Sequence, residues 1–169
     1  MIVLRKDLTM KRLFYNLFTS KDEKFAHALA SVERDGTILE VDPDGKWFAA
    51  VVHYKLDEIR GNEGASAPNL VLVRKKDLRQ VTHMRLVIDM EKSELLLGDF
   101  ESRIENKGYG SILLRNLIKL AELLEINTIT GNLSAVDSGG FDKLNYLYSK
   151  YGFEVSIKGN SGTIIRRMK

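Results

Sequence analysis

The stretch LLLGDFESRIENKGYGSILLRNLIKLAELL, Leu95 to Leu124, contains an apolar strand, a short polar connection, a glycine turn and a long amphipathic helix. Its turn, Asn106-Lys107-Gly108-Tyr109-Gly110-Ser111, puts small side chains and exposed backbone N–H groups where the helix begins. The first four N–H groups of a helix have no partner within it, and the helix dipole adds positive potential at the same end. Such a turn is a cradle for an anion, with phosphate the natural occupant.

Working outward, Leu113, Leu117, Leu120 and Leu124 recur on one face of the helix, with Arg115, Lys119, Glu122 and Glu125 mostly away from it, so the helix is expected to cover a sheet. Before it, Arg85 to Met90 and Glu94 to Phe100 form a hairpin across Glu91-Lys92-Ser93. The continuous run Leu95-Leu96-Leu97 places both strands in the centre of a covered sheet, and Gly98 lets a backbone or ligand approach closely.

Further toward the N-terminus, Asn69 to Lys75 reads as a strand ending in the basic run Arg74, Lys75, Lys76 and Arg79, which a solvated edge explains more simply than a polyanion site. GNEGASAPN at 61 to 69 is the clearest loop, compatible with a linker or a mobile cover over a site. Trp47 to Leu56 reads as a strand, with His53 and Tyr54 near its end on opposite faces, preceded by a turn at 42 to 45 and a strand at 37 to 41. A helix over TSKDEKFAHALASVERDG is capped by Thr19 or Ser20, has Asp22 and Glu23 at its positive end, and stops at Gly36. Residues 1 to 20 fit either a strand at Ile2-Val3-Leu4 with a short helix lined by Leu13, Phe14, Leu17 and Phe18, or a recognition surface.

Beyond the central helix, Ile126 to Thr130 is a strand ending in Gly131-Asn132-Leu133-Ser134, and a loop from Ala135 to Gly140 leads to a short helix reaching Lys150. Gly152 ends that helix; two strands, 153 to 157 and 163 to 167, then close around Gly159-Asn160-Ser161-Gly162.

At 169 residues, with 44% apolar and 29% charged residues, the chain can bury a full core as one soluble globular domain. A net charge of +3 is weak support for a nucleic-acid partner. No cysteine is present, which excludes disulfides, thiol chemistry and cysteine-held metals. His27, His53 and His83 have no metal-binding spacing, so no metal site is expected. No apolar run approaches the ~20 residues that span a bilayer, and no secretory leader is evident, so the expected location is the cytoplasm without membrane contact.

Two motifs carry a resemblance. Glu105-Asn106-Lys107-Gly108-Tyr109-Gly110 is similar to the Arg/Gln-x-x-Gly-x-Gly/Ala turn of the GCN5-related N-acetyltransferase (GNAT) superfamily, and Leu147-Tyr148-Ser149-Lys150-Tyr151-Gly152-Phe153 resembles its Leu-Tyr-x-Lys-x-Gly-Phe. They stand in the family's order between the right elements. The resemblance covers residues 85 to 169 well and leaves 1 to 84 as a variable half of a single domain, 1 to 169. It implies an α+β fold, a three-layer arrangement of helices on a mixed sheet.

The resemblance further implies that acetyl-CoA is the acyl-donor substrate. Backbone N–H groups of Asn106, Lys107, Gly108, Tyr109, Gly110 and Ser111 would bind its pyrophosphate, with Lys107 adding charge, and Asp99, Phe100 and Ser102 would bind the pantetheine arm by their main chain. Asn132 would help hold the cofactor or the next helix. Tyr148 would be the catalytic acid that protonates the departing thiolate, a role suited to a phenol that is neutral at ordinary pH. The general base is unassigned: Asp99 and Glu101 lie near the reactive end of the strand, and His83 and Asp137 are weaker options.

Three departures stand out. Glu105 replaces the usual Arg or Gln beside the pyrophosphate, Phe141 and Leu144 replace the family's Asn and small residue ahead of the tyrosine, and the loop from Leu133 to Gly140 is extended. The expected function is transfer of acetyl to a primary amine, on a small molecule, an amino sugar or a protein, by a monomer or homodimer. The competing reading is a catalytically silent module of the same fold that contacts coenzyme A, a protein or nucleic acid.

Overall fold

A computed structural model describes residues 20–104, 106–134 and 140–168. The expectations for residues 1 to 19, Glu105 and Asp137 lie outside these. The described chain runs α1 (Lys21–Asp35), β1 (Thr37–Val41), β2 (Trp47–Val52), α2 (Leu56–Arg60), β3 (Ala65–Ser66), β4 (Asn69–Arg74), β5 (Arg79–Asp89), β6 (Glu94–Ser102), α3 (Tyr109–Leu123), β7 (Thr128–Leu133), α4 (Phe141–Lys150), β8 (Glu154–Lys158) and β9 (Ser161–Arg167). The strands form one nine-stranded mixed sheet in the order β1-β2-β4-β5-β6-β7-β9-β8, with β3 added along β5. Only β6 and β7 run parallel, joined by the α3 crossover.

Alternation along β2 sorts the sheet into two faces. Ala49 and Val51 look toward a large core that α3 fills with Leu113, Leu114, Leu117 and Leu120, all at 0% exposure. α4 adds Tyr148 to that front side. Phe48 and Ala50 look the other way, into a small cluster closed by Phe25 of α1. Helices on both faces of a mixed sheet make the expected three-layer α+β fold.

Local signals explain the helix ends. Ser20 caps α1 through a capping box with Glu23, whose carboxyl is held below its ordinary range first by the Ser20 backbone N–H. α3 is tied to β1 at a bulge: Lys119 Nζ donates to the Leu39 carbonyl at 2.5 Å, and the Glu40 carboxylate accepts from Arg115 at 2.6 Å and from the fully buried Asn116 at 2.7 Å.

Several expected elements differ. The strand from Trp47 stops at Val52, because His53 turns the chain with φ 64°, and a short helix follows from Leu56. His53 and Tyr54 are therefore not strand neighbours. The 61 to 69 segment is anchored, with Ser66 buried and paired to Ile88 and its hydroxyl bonded to Asn62. It lies at the end of β5 away from the Thr82–Ser102 pair. Among the described residues the central hairpin is covered on its front only, since Val87 and Leu96 remain 39% and 38% exposed on the back. β7 extends through Leu133, so Asn132 sits within the strand opposite Thr163.

Candidate functional site

β6 is regular against β7 from Glu94↔Thr128 to Leu97↔Gly131, and there the pairing ends. β6 nonetheless continues to Ser102 against β5. The cause is local: Met84 faces Phe100 while Leu86 faces Leu97, so two residues, Gly98 and Asp99, stand opposite Arg85 alone. A bulge of this kind bends its strand and increases the twist. β6 leans away from β7, and the edge of Gly98–Ser102 that would have paired with β7 faces open space.

That space is a cavity of 330 Å³. Its β6 wall is Leu97 to Glu101, its β7 wall is Gly131, Asn132, Leu133 and then Ser134, and Leu144 and Tyr148 of α4 lean over it. Leu97, Phe100 and Leu133 belong to the front face and Glu101 and Asn132 to the back, so the opening passes through the sheet. Tyr148 is 2% exposed, edge-on to Phe153 at 5.5 Å between ring centroids.

On the front, a second cavity of 550 Å³ lies between the glycine turn and α4. Asn106, Gly108, Tyr109, Gly110 and Ser111 form one side, Lys143, Leu144, Tyr146 and Leu147 the other, and Phe100, Ser102 and Ile104 the floor. Phe100 and Leu144 border both cavities, which therefore adjoin. Gly108 caps α3 with φ 76°, a conformation that a Cβ penalises, although no atom lies within 4 Å of where one would be. At Gly110 the constraint is space instead: a Cβ there would stand 3.3 Å from Phe100 Cζ, a tight contact that the ring must yield to. The turn thus aims the first N–H groups of α3 into the cleft, where an anion suits them.

The predicted site residues divide by place. Phe100, Ser102, Asn106, Gly108, Tyr109, Gly110 and Ser111 line the front cavity, and Asp99, Asn132 and Tyr148 line the gap, with Phe100 at the junction. Lys107 is exposed and borders neither. Among the carboxylates, Asp99 is paired with Arg85 at 3.4 Å, while Glu101 approaches His83 Nε2 at 4.0 Å. Within the described residues His83 Nδ1 is buried without a hydrogen-bond partner. Sequence reasoning missed Lys143 and Ile104 as cleft residues. The only available signal for Lys143 was a cation one turn into a helix that faces the glycine turn.

Arg74 donates to the Asp77 carboxylate at 2.6 Å and holds that carboxyl below the usual range. Among the described residues no cluster of three His, Asp or Glu could hold a metal, and no helix is long and apolar enough to cross a membrane.

The sequence matches no protein-family model and no curated protein. Shape does find likenesses. A GNAT-family acetyltransferase of Staphylococcus aureus Mu50 is similar with TM-score 0.50 and 16% identity, covering 62% of this chain and 69% of that one. The chain has the GNAT fold. The PaiA N-acetyltransferase of Thermoplasma acidophilum, in complex with coenzyme A, is similar at TM-score 0.50 and 18% identity over 65% of each chain. A Bacillus subtilis acetyltransferase in complex with coenzyme A gives 0.50 and 15%, over 61% of this chain and 78% of that one. At these identities the likeness is one of fold. The parted strands and the glycine turn of this GNAT fold are therefore read from the chain's own geometry.

Proposed function

We propose that the chain is an N-acyltransferase that moves acetyl from acetyl-CoA to a primary amine, on a small molecule or a protein. One observation carries this reading: β6 parts from β7 at Leu97, and the through-sheet gap it leaves adjoins a cleft walled on one side by a glycine turn and a helix N-terminus. A long donor with a pyrophosphate at one end and a reactive thioester at the other suits such a cleft. Coenzyme A is bound in two of the like-folded structures, which supports the same assignment.

On this reading Asn106, Gly108, Tyr109, Gly110 and Ser111 hold the pyrophosphate through backbone N–H groups, and Lys143 supplies the nearby charge in place of Lys107. Asp99, Phe100 and Ser102 present main-chain groups to the pantetheine arm. Successive strand amides point to opposite edges, so alternate N–H groups of Gly98 to Ser102 face the gap, where they stabilise negative charge developing on a carbonyl oxygen. Acetyl-CoA supplies the activated acyl group. The amine approaches from the back face, where Glu101 accepts its proton with His83 alongside. Tyr148, on the front, donates its phenolic proton to the leaving sulfur. Asn132 borders the gap on the amine's side.

The test is acetyl-CoA binding by calorimetry, followed by thiol release against a panel of amines. Tyr148→Phe is expected to keep donor affinity and to lower kcat by at least ~100-fold. Binding without turnover on any amine supports the silent module, and failure to bind any acyl-CoA sinks the acyltransferase reading.

A further inference from the structure

Tyr148 owes its place to the end of its helix. Phe153 N–H donates to the Tyr148 carbonyl at 3.1 Å and Gly152 N–H to the Ser149 carbonyl at 3.0 Å, with Gly152 left-handed at φ 76°. This is a Schellman turn, whose usual apolar contact is here the Phe153 ring edge-on to the Tyr148 ring. The Tyr-Gly-Phe of the second motif is thus the cap that sets the axial position of the helix. A carbonyl remains over, that of Tyr151, and its donor comes from a distant strand.

Arg166 of β9 lies beneath this turn. Its Nη1 donates to the Tyr151 carbonyl, and its guanidinium lies 5.9 Å from the centroid of the Phe153 ring. It also occupies the space left by the missing side chain of Gly152, where a Cβ would stand 2.5 Å from Nη1. A cation at a helix C-terminus is favourable by itself. Here the same group also touches three consecutive residues, Tyr151, Gly152 and Phe153. Among the described residues Arg166 Nε has no hydrogen-bond partner and Arg166 makes no ion pair, so these contacts hold the guanidinium in place of a counter-ion.

We propose that Arg166 is the positioning residue for Tyr148. By clamping the Schellman turn and bracing Phe153, it fixes the axial position of α4 and so the place of the phenol in the through-sheet gap. The role rests on the acyl-transfer reading, with Tyr148 as proton donor. Arg166 itself borders neither cavity.

A double-mutant cycle tests this, using thiol release from acetyl-CoA with an amine that wild type turns over. Arg166→Met is expected to lower kcat roughly ten- to hundredfold, as misplaced catalytic groups do, with a smaller rise in the KM for acetyl-CoA because Lys143 rides on the same helix. In a Tyr148→Phe background the same change should cost almost nothing further. Arg166→Lys, which keeps a cation near Tyr151 without the planar stack, should recover part of the loss, and it serves as the test if the methionine variant does not fold. Additive losses in the cycle, or a rise in KM with kcat unchanged, overturn the positioning role. Inactive wild type, or a Tyr148→Phe variant with wild-type turnover, overturns instead the reading on which it rests.

Discussion

Gly108 and Gly110 stand two residues apart and serve different ends. At Gly108 the constraint is conformational, so Gly108→Ala is expected to cost about 1–2 kcal/mol in urea unfolding by forcing a Cβ into the left-handed region. At Gly110 the constraint is space beside Phe100, so Gly110→Val should push the ring into the cleft and raise the acetyl-CoA Kd with a smaller effect on stability. Equal stability losses without any change in Kd would remove the distinction. Glu101 and Asp99 separate in the same way. Asp99 already has Arg85, whereas Glu101 borders the gap beside His83. Glu101→Gln should lower kcat about 100-fold, and Asp99→Asn should change it little. The reverse order in steady-state assays would move the proton acceptor to Asp99.

At the scale of elements, the β4–β5 turn is held by Arg74, which bonds Asp77 across it. The Asp77 carboxyl is depressed chiefly by its hydrogen bond with Arg74. A depressed carboxyl stabilises the fold above its unfolded value, about 3.9, and loses that contribution as pH falls through the lower folded value. The stability gap between wild type and Asp77→Asn should therefore be present at neutral pH and close on acidification, as read from urea midpoints across the pH series. A gap that is constant with pH would mean that the ion pair is not its source. α3 contributes by burial: Leu117→Ala should cost about 2–5 kcal/mol, whereas Leu123→Ala, at 39% exposure, should stay within about 0.5 kcal/mol.

For the whole molecule, the decisive property is that the gap crosses the sheet. A donor seated between α3 and α4 and an amine arriving from the back can meet without either leaving, which favours direct transfer. The chain also has no cysteine to carry an acyl group. Initial-rate plots are expected to intersect, and mass spectrometry should find no acetylated intermediate in the absence of amine. Parallel plots with a trapped acyl-enzyme would refute direct transfer.

Local chemistry made much of this legible in the chain. The Ser20 cap, the leucine stripe of α3, the glycine turn and the Tyr-Gly-Phe helix end follow from spacing and from what a missing Cβ permits, all within a few residues. The three longer helices and the order of the longer strands were readable for the same reason, whereas the short helix from Leu56 and the Ala65–Ser66 strand were not. The parting of β6 from β7 was not, because it arises from a register mismatch with β5 that no single segment contains. Nor was the exposure of Leu96, since a run of three leucines does not reveal that only one face of its strand is covered. Lys143 facing the turn, Glu101 meeting His83 and Arg166 beneath Gly152 join residues far apart in the chain. Tertiary packing alone decided those meetings, because side chains on separate strands and helices become neighbours only when the sheet sets their register.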